Sequence, residues 1–267
     1  MRQITDFPTV PLGLLPTPLY KLENLSRQLG KELYIKRDDM IGVALGGNKV
    51  RKLEFLLADA RAKGADVVLT AGGPQSNHAM LTAACAARLG MRCILLLKKR
   101  GVTDHRGNLI LDDIYGAQVR FLDTDSYDDI YAEMDRLGAE LAAAGRRAYH
   151  IPVGGSTALG ALGYVNCVRE LRQQGASVGH IVSATGSGGT GVLLGARWYL
   201  PGVKVTGIGV DDDPFEEIVP RLADGAAALL GRAPSGTPDD FRMVYHLGQG
   251  YAIPNPEDTP YIQELAR

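Results

Sequence analysis

The chain has 267 residues, of which 45% are hydrophobic and 22% are charged, a composition typical of a soluble globular protein with one large core or two smaller ones. Its formal net charge is -1 at pH 7, and its scattered basic residues form no electrostatic footprint for nucleic acid. The N-terminus has no signal-peptide pattern, and no run approaches the roughly 18 apolar residues of a membrane span, so a cytoplasmic location is expected.

Short β-branched runs alternate with helical patterns along the chain. The runs predict strands at residues 32–36, 66–70, 93–97, 119–122, 149–153, 180–183 and 203–210. The segments between them predict helices, among them residues 76–89, 127–144, 159–174 and 192–199. Such alternation is typical of parallel sheets covered by helices, so we predict an α/β fold.

A further helix is predicted to begin at Lys49, because apolar residues repeat at helical spacing over residues 53–60 and Asn48 suits an N-cap. Its first turn carries three cations, Lys49, Arg51 and Lys52, which oppose the helix dipole. We therefore expect a bound anion nearby. Like-charge repulsion and the dipole are expected to lower the pKa of Lys49, favouring the neutral amine that attacks a carbonyl group. A solvated basic patch on a surface helix is the alternative.

Four hydrogen-bonding side chains, Gln75, Ser76, Asn77 and His78, follow a glycine-rich turn at the start of another helix. Free backbone N–H groups at such a position suit a carboxylate. Ser76 is a candidate for the N-cap or for a catalytic hydroxyl, with capping alone as its simpler interpretation. A single histidine such as His78 is more often packed than catalytic.

A second glycine-rich loop follows an apolar strand and precedes a helix. Its hydroxyls and backbone donors indicate a site for one small phosphate, held without a metal. The residues concerned are Thr185, Gly186, Ser187, Gly188, Gly189 and Thr190. The loop departs from the dinucleotide fingerprint and lacks the Lys-Ser/Thr ending of a P-loop, and a structural turn is the alternative. This loop and the turns at residues 72–74 and 154–155 each follow a strand, so we expect them in one crevice.

The cysteines and histidines indicate neither a disulfide framework nor a metal site. Cys85, Cys93 and Cys167 are odd in number and lack metal-ligand spacing, so they are expected to be core thiols. The five histidines show no triad or zinc pattern. No metal is predicted.

A lysine suited to imine formation, a phosphate loop and a carboxylate loop together fit pyridoxal phosphate acting on an amino acid. Ordered strings along essentially the whole chain closely resemble the D-cysteine desulfhydrase and 1-aminocyclopropane-1-carboxylate deaminase family. They lie at residues 15–19, 35–39, 46–54, 73–78, 107–112, 152–163 and 185–190.

The resemblance implies the tryptophan synthase β-like fold, known as fold type II, with three αβα layers. It implies a larger cofactor-binding domain at residues 1–52 and 153–267, and a smaller inserted α/β domain at residues 53–152. The cofactor would lie between the domains, and the protein would be a homodimer.

The resemblance also implies roles for individual residues. Lys49 would bind pyridoxal 5'-phosphate covalently, and Asn77 would bond its phenolic oxygen. Ser76, with its neighbours Gln75, Asn77 and His78, would hold the substrate carboxylate, and residues 185–190 would bind the phosphate. Tyr251 resembles the first of two family tyrosines near the substrate.

The activity implied is α,β-elimination on a small amino acid, with D-cysteine giving pyruvate, hydrogen sulfide and ammonia. The strings at residues 74–78 and 107–109 look more like the desulfhydrase branch than the deaminase branch. Cyclopropane ring opening by a deaminase and a cysteate sulfo-lyase are alternatives. Family members usually continue well past the position of Arg267, so a further alternative is a cofactor-binding chain with little activity. A nucleotide-binding regulatory or oxidoreductase domain would explain the glycine loop but not Lys49.

Overall fold

The computed structural model describes residues 2–99, 104–175, 177–185, 189–210, 212–233, 238–248 and 255–265. The chain divides into two compact units. The first comprises Met1–Leu15 and Asp39–Gly163, and the second comprises Pro16–Asp38 and Tyr164–Arg267. Each unit contains a parallel sheet, so the predicted α/β class is confirmed.

The strands and helices follow one another along the chain in a regular alternation from residue 67 onwards. The strands are β1 (Leu19–Lys21), β2 (Tyr34–Lys36), β3 (Val67–Gly72), β4 (Arg92–Lys98), β5 (Gln118–Leu122), β6 (Ala148–Ile151), β7 (His180–Thr185), β8 (Lys204–Gly209) and β9 (Phe241–Tyr245). The α-helices are α1 (Glu23–Leu29), α2 (Lys49–Ala62), α3 (Asn77–Arg88), α4 (Asn108–Ile114), α5 (Tyr127–Ala143), α6 (Ala158–Gln173), α7 (Gly189–Tyr199), α8 (Phe215–Leu229) and α9 (Asp258–Leu265).

The first unit is built on a four-stranded parallel sheet of order β5-β4-β3-β6. Because side chains alternate along a strand, the sheet has two apolar faces. Val68 and Leu95 pack in one core with residues of α2 and α3, whereas Leu69 and Leu96 pack in another with residues of α5. All six residues of β3 are buried, as expected of a parallel strand covered on both faces.

The second unit contains a three-stranded parallel sheet of order β7-β8-β9 and an antiparallel pair, β1 with β2. Its core is smaller. Val205 of β8 packs there with Val168 of α6, Leu193 of α7 and Phe215 of α8. These contacts join the sheet to the three helices.

Two strands, one domain boundary and the cysteines can be compared with the expectations from the sequence. Strands β1 and β9 are not among the strands predicted from the sequence, and they are defined by their pairing with β2 and β8. The expected domain boundary between residues 52 and 53 lies within the span of α2, and the domain limits stay a prediction. The three cysteines are free and buried, so the prediction of core thiols is confirmed.

In the described ranges, no helix combines the length and the apolar character needed to cross a bilayer. Over the same ranges, no group of three or more His, Cys, Asp or Glu side chains is placed to hold a metal ion.

Candidate active site

Helix α2 begins at Lys49, as predicted, directly after a tight glycine turn. Gly46 and Gly47 have φ values of 73° and 122°, which L-residues with side chains rarely adopt. A Cβ atom on Gly46 would lie 1.9 Å from the Asp39 carbonyl oxygen. Asn48 occupies the N-cap position, as predicted, although its side chain makes no capping hydrogen bond. The turn thus requires glycine for steric reasons.

Two of the three cations at the start of α2 are buried, and Lys49 is half-buried. Arg51 and Lys52 are each only 1% exposed, which excludes the alternative of a solvated basic patch. Burial lowers the pKa of Lys49 to about 8, because a charged ammonium group is poorly solvated there. The predicted direction is confirmed, but its cause is burial and not the like-charge repulsion that the sequence suggests. The pKa of Lys52 lies well below its usual range, through burial and then through the charge of Lys49.

Two hydrogen bonds connect this helix start to the neighbouring glycine turns. The Asn77 side-chain amide donates to the Gly46 carbonyl oxygen at 3.2 Å, and Lys52 Nζ donates to the Gly154 carbonyl oxygen at 3.1 Å. The turns that contain Gly72 and Gly154 follow the adjacent parallel strands β3 and β6, so they lie at the same edge of the sheet. The predicted convergence is therefore confirmed for these two turns.

Lys49 itself makes no hydrogen bond or ion pair with any residue that the structure describes. An amine of lowered pKa without an internal partner is available to react. Lys52 lies one helical turn further on, where residues i and i+3 share a face. The i, i+3 spacing is therefore the sequence signal that Lys52 lies on the same helix face as Lys49.

Ser76 is the N-cap of α3, as predicted, since its side-chain oxygen accepts from the Ala79 N–H at 3.2 Å. The neighbouring Gln75 amide is occupied within the protein. Its Oε1 accepts from the Asn108 N–H at 2.9 Å, and its Nε2 donates to the Arg106 carbonyl oxygen at 3.1 Å. The roles of both residues toward a substrate stay predictions.

His78 points into the first unit's interior. It is only 4% exposed, and its Nε2 lies 2.9 Å from Thr70 Oγ1. The Thr70 hydroxyl donates to the Ile151 carbonyl oxygen at 2.8 Å, so it accepts from Nε2–H and leaves Nδ1 unprotonated in the neutral ring. Burial, then the charges of Lys49 and Lys52, hold the His78 pKa well below its usual range. His78 is therefore neutral, and its substrate role stays a prediction.

The predicted phosphate loop follows β7 in the second unit. Thr185 and Thr190 are fully buried, and Thr190 Oγ1 has no hydrogen-bond partner among the described residues. A Cβ atom on Gly189 would lie 2.8 Å from Thr185 Cγ2. Residues 186–188, which include Gly186, Ser187 and Gly188, and residue Tyr251 lie outside the described residues.

In each unit, the residues present fit part of pyridoxal phosphate. In the first unit, Lys49 provides an amine without a partner among the described residues for the aldehyde carbon, and the start of α3 provides hydrogen-bond donors and a hydroxyl for polar groups. The buried, unpartnered hydroxyl of Thr190, at the second residue of α7, suits an anionic oxygen near a helix N-terminus.

Comparison with known proteins agrees with this chemistry. The family model for pyridoxal-phosphate dependent enzymes matches residues 10–267. The chain is 41% identical to a D-cysteine desulfhydrase of Salmonella choleraesuis (strain SC-B67) over 277 aligned positions, which cover all of this chain and 84% of that protein. It is 40% identical, with the same coverage, to a D-cysteine desulfhydrase of Salmonella paratyphi C (strain RKS4594).

Solved structures show the same fold. The crystal structure of an ACC deaminase homologue matches with a TM-score of 0.84 and 38% identity, over 90% of this chain and 74% of that chain. The threonine deaminase of T.th. matches with a TM-score of 0.55 and 22% identity, over 73% of this chain and 59% of that chain, and so supports the fold alone. The fold is that of the type II pyridoxal phosphate enzymes. The chain therefore belongs to the family of pyridoxal-phosphate dependent enzymes.

Proposed function

We propose that this protein is a lyase that removes the β-substituent of a small amino acid, with D-cysteine as its substrate. The observation that carries the proposal is the half-buried Lys49, whose pKa is lowered to about 8 and which has no internal partner in the described structure. Support for D-cysteine comes from the desulfhydrases that the chain resembles over its full length. The net reaction converts D-cysteine and water to pyruvate, hydrogen sulfide and ammonia.

The residues of the first unit would bind and orient the substrate. Ser76 and the free N–H groups at the start of α3 would hold its carboxylate, where the partial positive charge of the helix favours an anion. Asn77 is directed toward the turn that precedes Lys49 by its bond to Gly46. This arrangement would present the substrate Cα to the start of α2.

Lys49 would remove the proton from the substrate Cα. A base is most effective when its pKa lies near the working pH, and a pKa of about 8 meets that condition much better than the ordinary value of 10.5. Pyridoxal phosphate, when bound, supplies an electron sink for the charge that develops at Cα. Neutral His78, buried behind the site, adds no competing positive charge.

The cofactor phosphate is assigned in this proposal to residues 185–190, with Thr185, Gly189 and Thr190 described by the structure. The unpartnered Thr190 hydroxyl supports that assignment. Tyr251 is proposed as a catalytic residue on the resemblance of its surrounding string alone.

A deaminase that opens 1-aminocyclopropane-1-carboxylate is the second candidate. It is favoured by the 38% identity to the ACC deaminase homologue. It uses the same lysine and the same carboxylate site, so the two candidates differ in the bond that is broken, Cβ–S or a ring C–C bond.

The test is a spectrum of the purified protein with pyridoxal phosphate, followed by assays with D-cysteine, L-cysteine, cysteate and the cyclopropane substrate. We expect pyruvate and sulfide in equal amounts from D-cysteine. Release of 2-oxobutanoate from the cyclopropane substrate, without sulfide from D-cysteine, would replace the first candidate by the second. Cofactor binding without turnover of any of the four would refute the proposed enzyme.

We also propose that the protein is a cytoplasmic homodimer, on the basis of the family resemblance. Light scattering after size-exclusion chromatography tests the dimer, and a mass of 28.6 kDa would identify a monomer.

A further inference from the structure

The Gln75 side chain is hydrogen-bonded to the start of α4 and to the loop that precedes it. Gln75 Oε1 accepts from the Asn108 N–H at 2.9 Å, and Gln75 Nε2 donates to the Arg106 carbonyl oxygen at 3.1 Å. In return, the Asn108 side-chain amide donates to the Gln75 carbonyl oxygen at 2.9 Å. We call this set of three hydrogen bonds the Gln75 clasp.

The clasp acts as a cap for α4. Asn108 is the first residue of that helix, and its N–H is one of the donors that a helix leaves unpaired at its start. The N-cap residue, Gly107, has no side chain with which to satisfy it. Gln75, 33 positions earlier in the chain, provides the missing acceptor.

Gly107 is shaped to admit the Gln75 side chain. Its backbone has φ 59° and ψ -131°, a region that residues with a Cβ rarely adopt. A Cβ atom there would lie only 2.2 Å from Gln75 Oε1. Both residues are therefore constrained. Hydrogen bonds hold the Gln75 side chain, and Gly107 must lack a side chain because Gln75 Oε1 occupies that space.

The clasp holds one side of the loop at residues 75–77, and the other side of that loop contacts the glycine turn before Lys49. Ser76 and Asn77 follow Gln75 directly, and Asn77 bonds to Gly46 on the α2 side. The loop is thus fixed between α4 and the glycine turn of α2. Without the clasp, the Asn77 contact and the Ser76 cap would hold it from one side only.

We propose that Gln75 is a positioning residue, which orients Ser76 and Asn77 for the substrate carboxylate through its bonds to Asn108 and Arg106. It does not bind the substrate itself, in contrast to the substrate-binding role that the sequence suggests. This inference rests on the proposed function, because it concerns the carboxylate site of that enzyme.

The decisive comparison is between Gln75→Ala and Gln75→Glu in the enzyme loaded with pyridoxal phosphate. Glutamate keeps the acceptor for the Asn108 N–H and adds a negative charge at a helix start, which the helix favours, but it cannot donate to the Arg106 carbonyl oxygen. A positioning role predicts that alanine lowers kcat/KM by about tenfold, because both side-chain hydrogen bonds of Gln75 are lost, and that glutamate restores part of the loss. A direct contact with the substrate carboxylate predicts the reverse order, because two carboxylates repel one another.

A glycine pair provides a matched test from the other side of the clasp. Gly107→Ala introduces both strain at positive φ and the clash with Gln75 Oε1. Gly116→Ala, just after the end of α4, has a similar φ of 70° and no atom within 4 Å of the new Cβ, so it introduces strain alone. We expect kcat/KM to fall for Gly107→Ala only. Moreover, Gly107→Ala should lower kcat/KM little further in a protein that already carries Gln75→Ala, because the two changes remove the same contact. Losses that multiply would overturn the inference.

Hydrogen exchange at the Asn108 amide tests the clasp without catalysis. We expect protection in the parent protein and in Gln75→Glu, and faster exchange in Gln75→Ala. Equal exchange in all three would refute the capping bond. The kinetic comparisons use whichever amino acid of the panel the parent enzyme turns over fastest, so a wrong substrate assignment leaves this test in place. An inactive parent protein refutes the proposed function and the positioning role with it, and hydrogen exchange then decides only the clasp.

Discussion

The Asn77 side-chain amide donates a hydrogen bond to the Gly46 carbonyl oxygen at 3.2 Å, although 31 positions separate the two residues. A Cβ atom on the intervening Gly47 would lie 2.7 Å from Asn77 Nδ2, so the close approach depends on glycine. The contact joins the N-terminus of α3 to the turn that precedes Lys49. The carboxylate-binding and lysine-bearing parts of the proposed site are thereby connected directly.

Asn77→Asp tests that contact with almost no change in shape. A carboxylate cannot donate to the Gly46 carbonyl oxygen and repels it instead, so we expect a loss of about 1–3 kcal/mol in stability and weaker cofactor binding. Thermal unfolding and a cofactor titration measure the two effects. Asn255→Asp is the matched control, because Asn255 makes the same kind of bond to the Leu247 carbonyl oxygen at 3.2 Å on the surface. Equal effects of the two variants on cofactor affinity would contradict the assignment.

Lys49 is predicted to be the residue that binds the cofactor covalently. Lys49→Ala should abolish borohydride-stable labelling by pyridoxal phosphate and lower turnover by at least roughly 1,000-fold, on the order of the loss of an essential nucleophile. Lys63→Ala, an exposed lysine of the same unit, is the control and should change neither. Peptide mapping that places the label on Lys36 or Lys52 would show the assignment to be wrong.

The lowered pKa of Lys49 also predicts a pH dependence. Only the neutral amine attacks an aldehyde, so the rate at which cofactor attaches to the apoprotein should rise through a pH of about 8 rather than 10.5. Stopped-flow absorbance at several pH values measures this rate.

The burial that lowers the pKa of Lys49 also disfavours its charged form in the folded state, so the stability of the protein should rise as the pH increases from about 8 toward 10.5. If the rate of cofactor attachment instead has its midpoint near pH 10.5, Lys49 is solvated.

Ser76 is the N-cap of α3, and its proposed contact with substrate can be separated from that role. Ser76→Ala should cost about 1 kcal/mol of stability through loss of the cap and should also raise KM. Ser126→Ala removes an equivalent cap, since Ser126 accepts from the Asp129 N–H at the start of α5. If both variants lower the melting temperature and neither changes the kinetics, Ser76 is a cap alone.

Gly189 tests the proposed phosphate loop. Gly189→Ala would bring a Cβ atom within 2.8 Å of Thr185 Cγ2 and displace the start of α7, so we expect cofactor affinity to fall by about tenfold or more. Gly179→Ala is a control with no atom within 4 Å of its new Cβ. Among molecules that still hold cofactor, KM should change little. A change in KM without a change in cofactor affinity would place the phosphate elsewhere.

Local patterns in the sequence are sufficient for much of the fold. They predict the helical repeat after Lys49, the Ser76 cap and the apolar runs of β3 and β4, because backbone periodicity and capping depend on residues a few positions apart. The family assignment follows from ordered strings of the same local kind. Pairing of the short strands β1 and β9 is not predictable in this way, since a three-residue or half-exposed strand has no distinctive period.

Only the tertiary structure decided what surrounds these residues. The sequence explains the lowered pKa of Lys49 by neighbouring charge, whereas the structure attributes it to burial, which depends on how α2 packs. The sequence suggests that Gln75 is a substrate ligand, whereas its side chain is bonded to residues 31 and 33 positions away. Contacts at such separations arise when elements pack against one another, and no local pattern encodes which distant groups will meet.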